Sequence, residues 1–171
     1  MRLSIAALLL ATLPLFAVAV AVAVAAALPE PEGEVLLTVS GDIRHPNVGE
    51  EAQFDRAMLQ DLSLVEVCTR TPWHREHGCF EGPLLRDVLA AAGVESESVV
   101  VQALNEYRAR IPVAELRRYD VILAMRRNGE AMPIREFGPL FVLYPFDDHP
   151  ELHNEAVRFR SVWHVAEIHA P

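Results

Sequence analysis

Residues 119–145, YDVILAMRRNGEAMPIREFGPLFVLYP, hold two short apolar runs with turn residues between them, and this arrangement constrains the fold more than any other stretch. The run 121–125 opens with β-branched residues and is bounded by charge, the pattern of a buried strand. Asn128 and Gly129 both tolerate positive φ, so the chain is expected to turn there. A second turn at Gly138-Pro139 opens another apolar strand over 140–144. The loop between the strands carries Arg135. A guanidinium fixed between two core strands clamps an anion or an amide edge; the competing role is that of an ordinary surface arginine.

The rest of the chain supplies short elements of mixed type. Residues 35–40 alternate weakly and end at Gly41-Asp42, which predicts a strand and a turn. Phe54, Met58 and Leu62 recur at helical spacing beside Leu59, giving a short amphipathic helix. Val65-Glu66-Val67 reads as a strand running into CTRTPW. Leu85, Val88, Leu89 and Ala92 mark a helix stopped by Gly93, a residue suited to the left-handed cap position. Residues 98–104 return as a strand, and Pro112 starts a short helix over VAELRRY. Residues 151–159 form a last helix or an ordered loop, and 161–168 a closing strand. Strands and helices mix without a regular βαβ rhythm, so the fold class is α+β.

At 171 residues and 51% hydrophobic content there is room for one domain with its own core. Residues 1–27 stand apart. Arg2 is the only charge, and a long apolar stretch ends in small residues at Ala25-Ala26-Ala27. This is the pattern of a secretory signal cleaved near Ala27; the competing reading is an uncleaved membrane anchor, since the run is long enough to span a bilayer. Residues 28–34, with two prolines and three glutamates, form a spacer, and 35–171 the domain. The net charge of −9 argues against nucleic acid and anionic membranes as partners. All 15 basic residues are arginine.

Chemistry-bearing residues gather in Cys-Thr-Arg-Thr-Pro-Trp-His-Arg-Glu-His-Gly-Cys, residues 68–79. Two cysteines in an exported chain are expected to oxidise, which predicts a Cys68–Cys79 disulfide. The alternative is a metal site from Cys68, His74, His77 and Cys79, although this is not a recognised zinc spacing. His149 and His153, four apart, share a face if they are helical. Aromatic residues are few, and Trp73, Tyr107 and Tyr144 each sit beside a polar residue at the end of a predicted strand. Rings so placed stack on a flat heterocycle, with Thr71, Asn105 and Arg135 reading its amide edge. Core packing is the competing role, and the one expected of Tyr144.

The segment LAMRRNGEAMPIREFGPLFVLYP resembles part of the oxidoreductase molybdopterin-binding domain family, the sulfite oxidase fold. LLTVSGDI (36–43), FEGPLLRDVLAAAGV (80–94), ALNEYRARIP (103–112) and RSVWHVAEIH (160–169) follow in that family's order. The chain is most similar to the family's small stand-alone exported members. The resemblance implies a mixed sheet with short helices and a pocket that relatives use for molybdopterin. In catalytic members a cysteine near position 68 gives its thiolate to molybdenum, and a lysine stands just before the tryptophan of the closing strand; this chain reads RSVWH there. The leading expectation is a periplasmic domain that binds a pterin through Thr71, Trp73, Asn105, Tyr107 and Arg135, as a sensor or a subunit of a membrane-bound signalling or redox partner. A molybdenum-dependent oxidoreductase with Cys68 as metal ligand is the alternative. A third is an interaction domain with a vestigial pocket.

Overall fold

The computed structural model describes residues 28–171, so the expected signal or anchor segment 1–27 lies outside the described residues. Its centre is a five-stranded sheet. Strand β1 (Val35–Gly41) pairs antiparallel with β2 (Ala52–Asp55) and parallel with β11 (Val165–Ala170), joining the two ends of the domain. Beyond β11 lie β5 (Ser98–Ala103) and then β6 (Arg108–Pro112), both antiparallel to their neighbours. Strand β5 shows why these residues form a sheet. Its β-branched Val99 and Val101 alternate inward with Ala103 and are buried, which suits a half-buried pleat.

A second sheet holds β3 (Leu64–Thr69), β4 (Gly78–Pro83) and the two-residue strands β8 (Arg126–Arg127) and β9 (Glu130–Ala131). Asn128 (φ 52°) and Gly129 (φ 82°) make the two-residue turn between β8 and β9, as the Asn-Gly pair predicts. The apolar runs of residues 119–145 become the antiparallel pair β7 (Ile122–Ala124) and β10 (Phe141–Leu143), every residue of which is buried. Strand β4 crosses close over β7. A side chain at Gly82 would bring its Cβ within 2.0 Å of the Leu123 carbonyl oxygen, so only glycine permits that approach.

The helices are short. Helix α1 is Arg56–Asp61, α2 Leu85–Ala92, α3 Val113–Arg118 and α4 Glu155–Arg160. Helix α2 buries Leu85, Val88, Leu89 and Ala92 and ends at Gly93 (φ 73°), where the Val94 N–H reaches back to the Leu89 carbonyl. Pro112 precedes α3, as expected. Among the described residues no helix is long and apolar enough to cross a membrane.

Four sequence expectations shift. Phe54 belongs to β2 rather than to a helix, because Asp55 caps α1 and starts it one residue later; the Met58 N–H donates to Asp55 Oδ1 at 2.9 Å. Asp55 Oδ2 also accepts from the Glu32 and Gly33 N–H groups at 3.0 and 2.8 Å. These donors, Met58 first and then Gly33, hold its carboxyl below the ordinary range. They also tie residues 28–34 down, and Leu28 packs on the core, so this stretch is not a free spacer. The closing strand begins at Val165, not 161. Strands β4 and β6 are additions: GCFEGP carries two glycines and a proline, RARIP alternates over only four residues, and both form by pairing with their neighbours.

Candidate functional site

Three segments far apart in sequence enclose a cavity of about 260 Å³. The four-residue turn between β5 and β6 contributes Asn105 and Tyr107, next to Ala103. Glu106 takes positive φ (67°) at this turn, and the Tyr107 N–H donates to Asn105 Oδ1 at 3.2 Å. The end of α4 and the residues after it contribute Arg158, Phe159, Ser161, Val162 and Trp163. The Tyr107 hydroxyl donates to the Phe159 carbonyl at 2.9 Å and so clamps the turn to the helix end. The loop between β3 and β4 contributes Trp73.

Trp73 and Trp163 meet edge to face with ring centroids 5.4 Å apart. Trp73 also lies edge-on to Phe141 and Phe146, at 5.7 and 6.2 Å. It packs on both hydrophobic clusters of the domain, so the cavity wall is continuous with the core. Ser161 is buried, and its hydroxyl donates to the Val157 carbonyl at 2.9 Å. The mouth is formed by exposed Tyr107 and Phe159.

Of the five residues expected to form a binding site, Trp73, Asn105 and Tyr107 come together here. Thr71 stands behind the wall. Its Oγ1 accepts from the N–H groups of Trp73 (3.3 Å) and His74 (3.1 Å) and shares a 2.7 Å hydrogen bond with His74 Nδ1. Thr71 therefore shapes the turn that presents Trp73. Arg135 does not line the cavity. It sits in a 3-10 turn, Ile134–Glu136, with its side chain 82% exposed and 3.4 Å from Glu136. The inward position in this turn goes to Phe137, whose ring meets Trp163 at 5.4 Å and His74 at 4.9 Å.

His74 is wedged among Phe80, Phe137 and Phe141, and its Nε2 is buried without a hydrogen-bond partner among the described residues. Burial first, and then the Arg127 guanidinium, lower its pKa against the opposing charge of Glu136. Tyr144 proves to be core. Its hydroxyl donates to Glu115 Oε2 at 3.1 Å, the other Glu115 oxygen pairs with Arg160, and burial raises the phenol pKa.

Cys68 and Cys79 face each other across β3 and β4 and are joined as a disulfide. This is the bond expected from the sequence, and it corrects the two alternatives. Cys68 offers no thiolate to molybdenum, because its sulfur is already bonded. The same bond removes both sulfurs from a zinc set with His74 and His77. Glu66, Cys68 and Cys79 do bring ligand-type atoms within 4.8 Å of one another, but two of the three are the bonded sulfurs. His149 and His153 flank the 3-10 turn Pro150–Leu152 instead of sharing a helix face; their rings pack on Tyr119 and Phe146.

Sequence reasoning missed Arg158, Phe159 and Ser161 as site residues, and placed Trp163 only as part of a motif. Their one signal was the dense alternation of cation and aromatic in RFRSVW (158–163).

The protein is an α+β domain of three small sheets, with an aromatic cavity opening between a β-turn and a helix end, a setting in which ligand sites are commonly built. The chain matches the family model described as oxidoreductase molybdopterin binding domain over residues 37–146. It belongs to that family, and its fold is the sulfite-oxidase-like one. No curated protein matches the chain. The match spans Trp73, Asn105 and Tyr107, while the α4 side of the cavity lies beyond it.

Family membership implies a molybdopterin-type cofactor, and the residues present fit one part of such a group. Crossed indoles, a tyrosine and an amide suit the face and edge of the bicyclic ring. No cysteine thiolate is available to the metal end, since the only two cysteines in the chain are joined in a disulfide. The cavity is also slightly smaller than ordinary ligand sites, which begin at about 300 Å³.

Proposed function

We propose that the protein is an exported domain that binds a pterin without redox chemistry of its own, acting as a sensor or as a subunit of a membrane-bound signalling or redox partner. The observation that carries this reading is the meeting of Trp73, Trp163, Tyr107 and Asn105 around one small cavity. Indole and phenol rings supply the apolar faces between which a flat heterocycle rests. Asn105 Nδ2 makes no hydrogen bond among the described residues and is available to an acceptor on the ring edge. The Cys68–Cys79 disulfide supports export, because such bonds persist in oxidising compartments. It also favours the non-catalytic reading over a molybdenum oxidoreductase.

The test is purification from the native compartment, with metal analysis and an absorbance and fluorescence scan. A near-stoichiometric pterin with no molybdenum is the expected result. Stoichiometric molybdenum supports the oxidoreductase instead, and recovery with neither leaves the interaction domain with a vestigial pocket. A mature chain starting near Leu28, recovered without detergent, is expected from the same preparation; an intact N-terminus in the membrane fraction means an anchored domain.

A further inference from the structure

We propose that two copies of the protein pair through strand β3, edge to edge and antiparallel, about a two-fold axis at Cys68. The pairing is independent of what the cavity holds. Among the described residues, β3 is the outer strand of the second sheet and is hydrogen-bonded to β4 alone. It is six residues long, contains no glycine or proline, and keeps an unbroken register with β4. Other sheet edges are shielded in ways that β3 is not. Strand β2 has four residues and β9 two, while β6 carries Arg108 and Arg110, ends at Pro112 and is clamped to α4 at its start by Tyr107.

The free backbone groups on this edge can be identified. Cys68 stands opposite Cys79, and both backbone groups of Cys79 turn the other way. Its carbonyl accepts from the Asn128 N–H at 2.7 Å, and its N–H donates to Asn128 Oδ1 at 3.0 Å. Cys68 therefore makes no ladder bond to β4. In an antiparallel pair such positions recur at every second residue, so Leu64, Glu66 and Cys68 all point their N–H and C=O groups outward. All three are exposed. The Asp147 loop reaches β3 only at its far end, through Thr69 and the Arg70 N–H.

Such a row of donors and acceptors suits many strands, and side-chain charge selects among them. Glu66 lies directly opposite Glu81. Arg126 neutralises Glu81 at 3.0 Å, whereas Glu66 has no ion pair among the described residues. An incoming strand is favoured if it sets a cation opposite Glu66. The chain's own Arg70 does this. With Cys68 facing Cys68 of the second copy, Glu66 falls opposite the second copy's Arg70, and the two-fold symmetry makes that contact twice. Arg70 is free to reach it, since its side chain is 74% exposed and its Nε lies 3.5 Å from Asp147. A register centred on Glu66 would instead set like charges face to face. Both sulfurs at the axis are already bonded to Cys79, so the copies join without a covalent link.

Sedimentation equilibrium of the purified protein, from micromolar to submillimolar concentration, tests this pairing. Wild type should rise from the mass of one chain to that of two. Glu66→Arg should weaken association about tenfold, because two ion pairs give way to two like-charge contacts, and Glu66→Arg combined with Arg70→Glu should restore it. Glu66→Pro removes an outward N–H that β4 does not use, and it should abolish the pairing. Circular dichroism checks that each variant keeps the fold. A single-chain mass throughout overturns the proposal and leaves the edge to a strand of another protein. Association that survives Glu66→Pro, or that a natively folded double variant fails to regain, also overturns it.

Discussion

Thr71 illustrates how much a single oxygen does. One hydroxyl receives two backbone N–H groups and meets the His74 ring, and the turn so formed holds Trp73 against the cavity. Thr71→Val keeps the shape and removes the acceptor. It should cost about 1–3 kcal/mol of stability in urea titrations, the range for leaving buried partners unsatisfied, and should also alter tryptophan fluorescence. Unchanged stability would mean that the turn is held by packing alone. His74 carries a second residue-scale prediction. Its pKa is lowered in the fold, so the unfolded chain binds more protons over the interval below the ordinary imidazole value of 6.5. Stability should therefore fall as pH drops from 7 towards 5, and His74→Gln should flatten that slope. An identical slope in the variant would contradict the burial argument. Such roles were only half legible in sequence. Thr71 and Trp73 stood out as polar and aromatic neighbours after a strand, but nothing local distinguishes a threonine that touches a ligand from one that orders the turn behind it.

Between elements, the disulfide adds a covalent fastening to the paired strands of the second sheet. It closes the β3–β4 loop, eleven residues apart in sequence, at its base. Replacing both cysteines by serine should lower stability by about 2–3 kcal/mol, the scale set by loop-closure entropy, measured by urea denaturation. The ladder of β3 and β4 pairs should survive, so the fold persists. No loss of stability would show that the strand pairs and the Asp147 contacts to this loop suffice. Elements with strong local signals were readable: the Asn-Gly turn, the α2 stripe with its glycine stop, and the apolar runs that became β7 and β10. Strands β4 and β6 were not, because glycine and proline interrupt GCFEGP and the Arg-Ala-Arg-Ile alternation of RARIP is too short to mark a strand without its partner. Arg135 was misplaced for a related reason. Which residue of a 3-10 turn faces inward depends on what waits there, and the aromatic cluster takes Phe137.

At the scale of the whole molecule, the site is a product of topology. Trp73, Asn105 and Tyr107 were identifiable one by one, yet their convergence needs β11 to lie beside β5 and α4 to close over the β5–β6 turn. Arg158 could not be assigned without that closure, since a lone arginine near a helix end reads as solvated. The central claim is that this assembled cavity holds a flat heterocycle, and a fluorescence titration of the protein with a pterin tests it most directly, with Asn105→Ala as the comparison. Asn105 is exposed, so its truncation should leave the melting temperature nearly unchanged. The account predicts saturable one-site binding that quenches tryptophan emission, weakened about three- to tenfold by Asn105→Ala through the loss of one hydrogen bond. Absence of saturable binding, or the same affinity in the variant as in wild type, would contradict it.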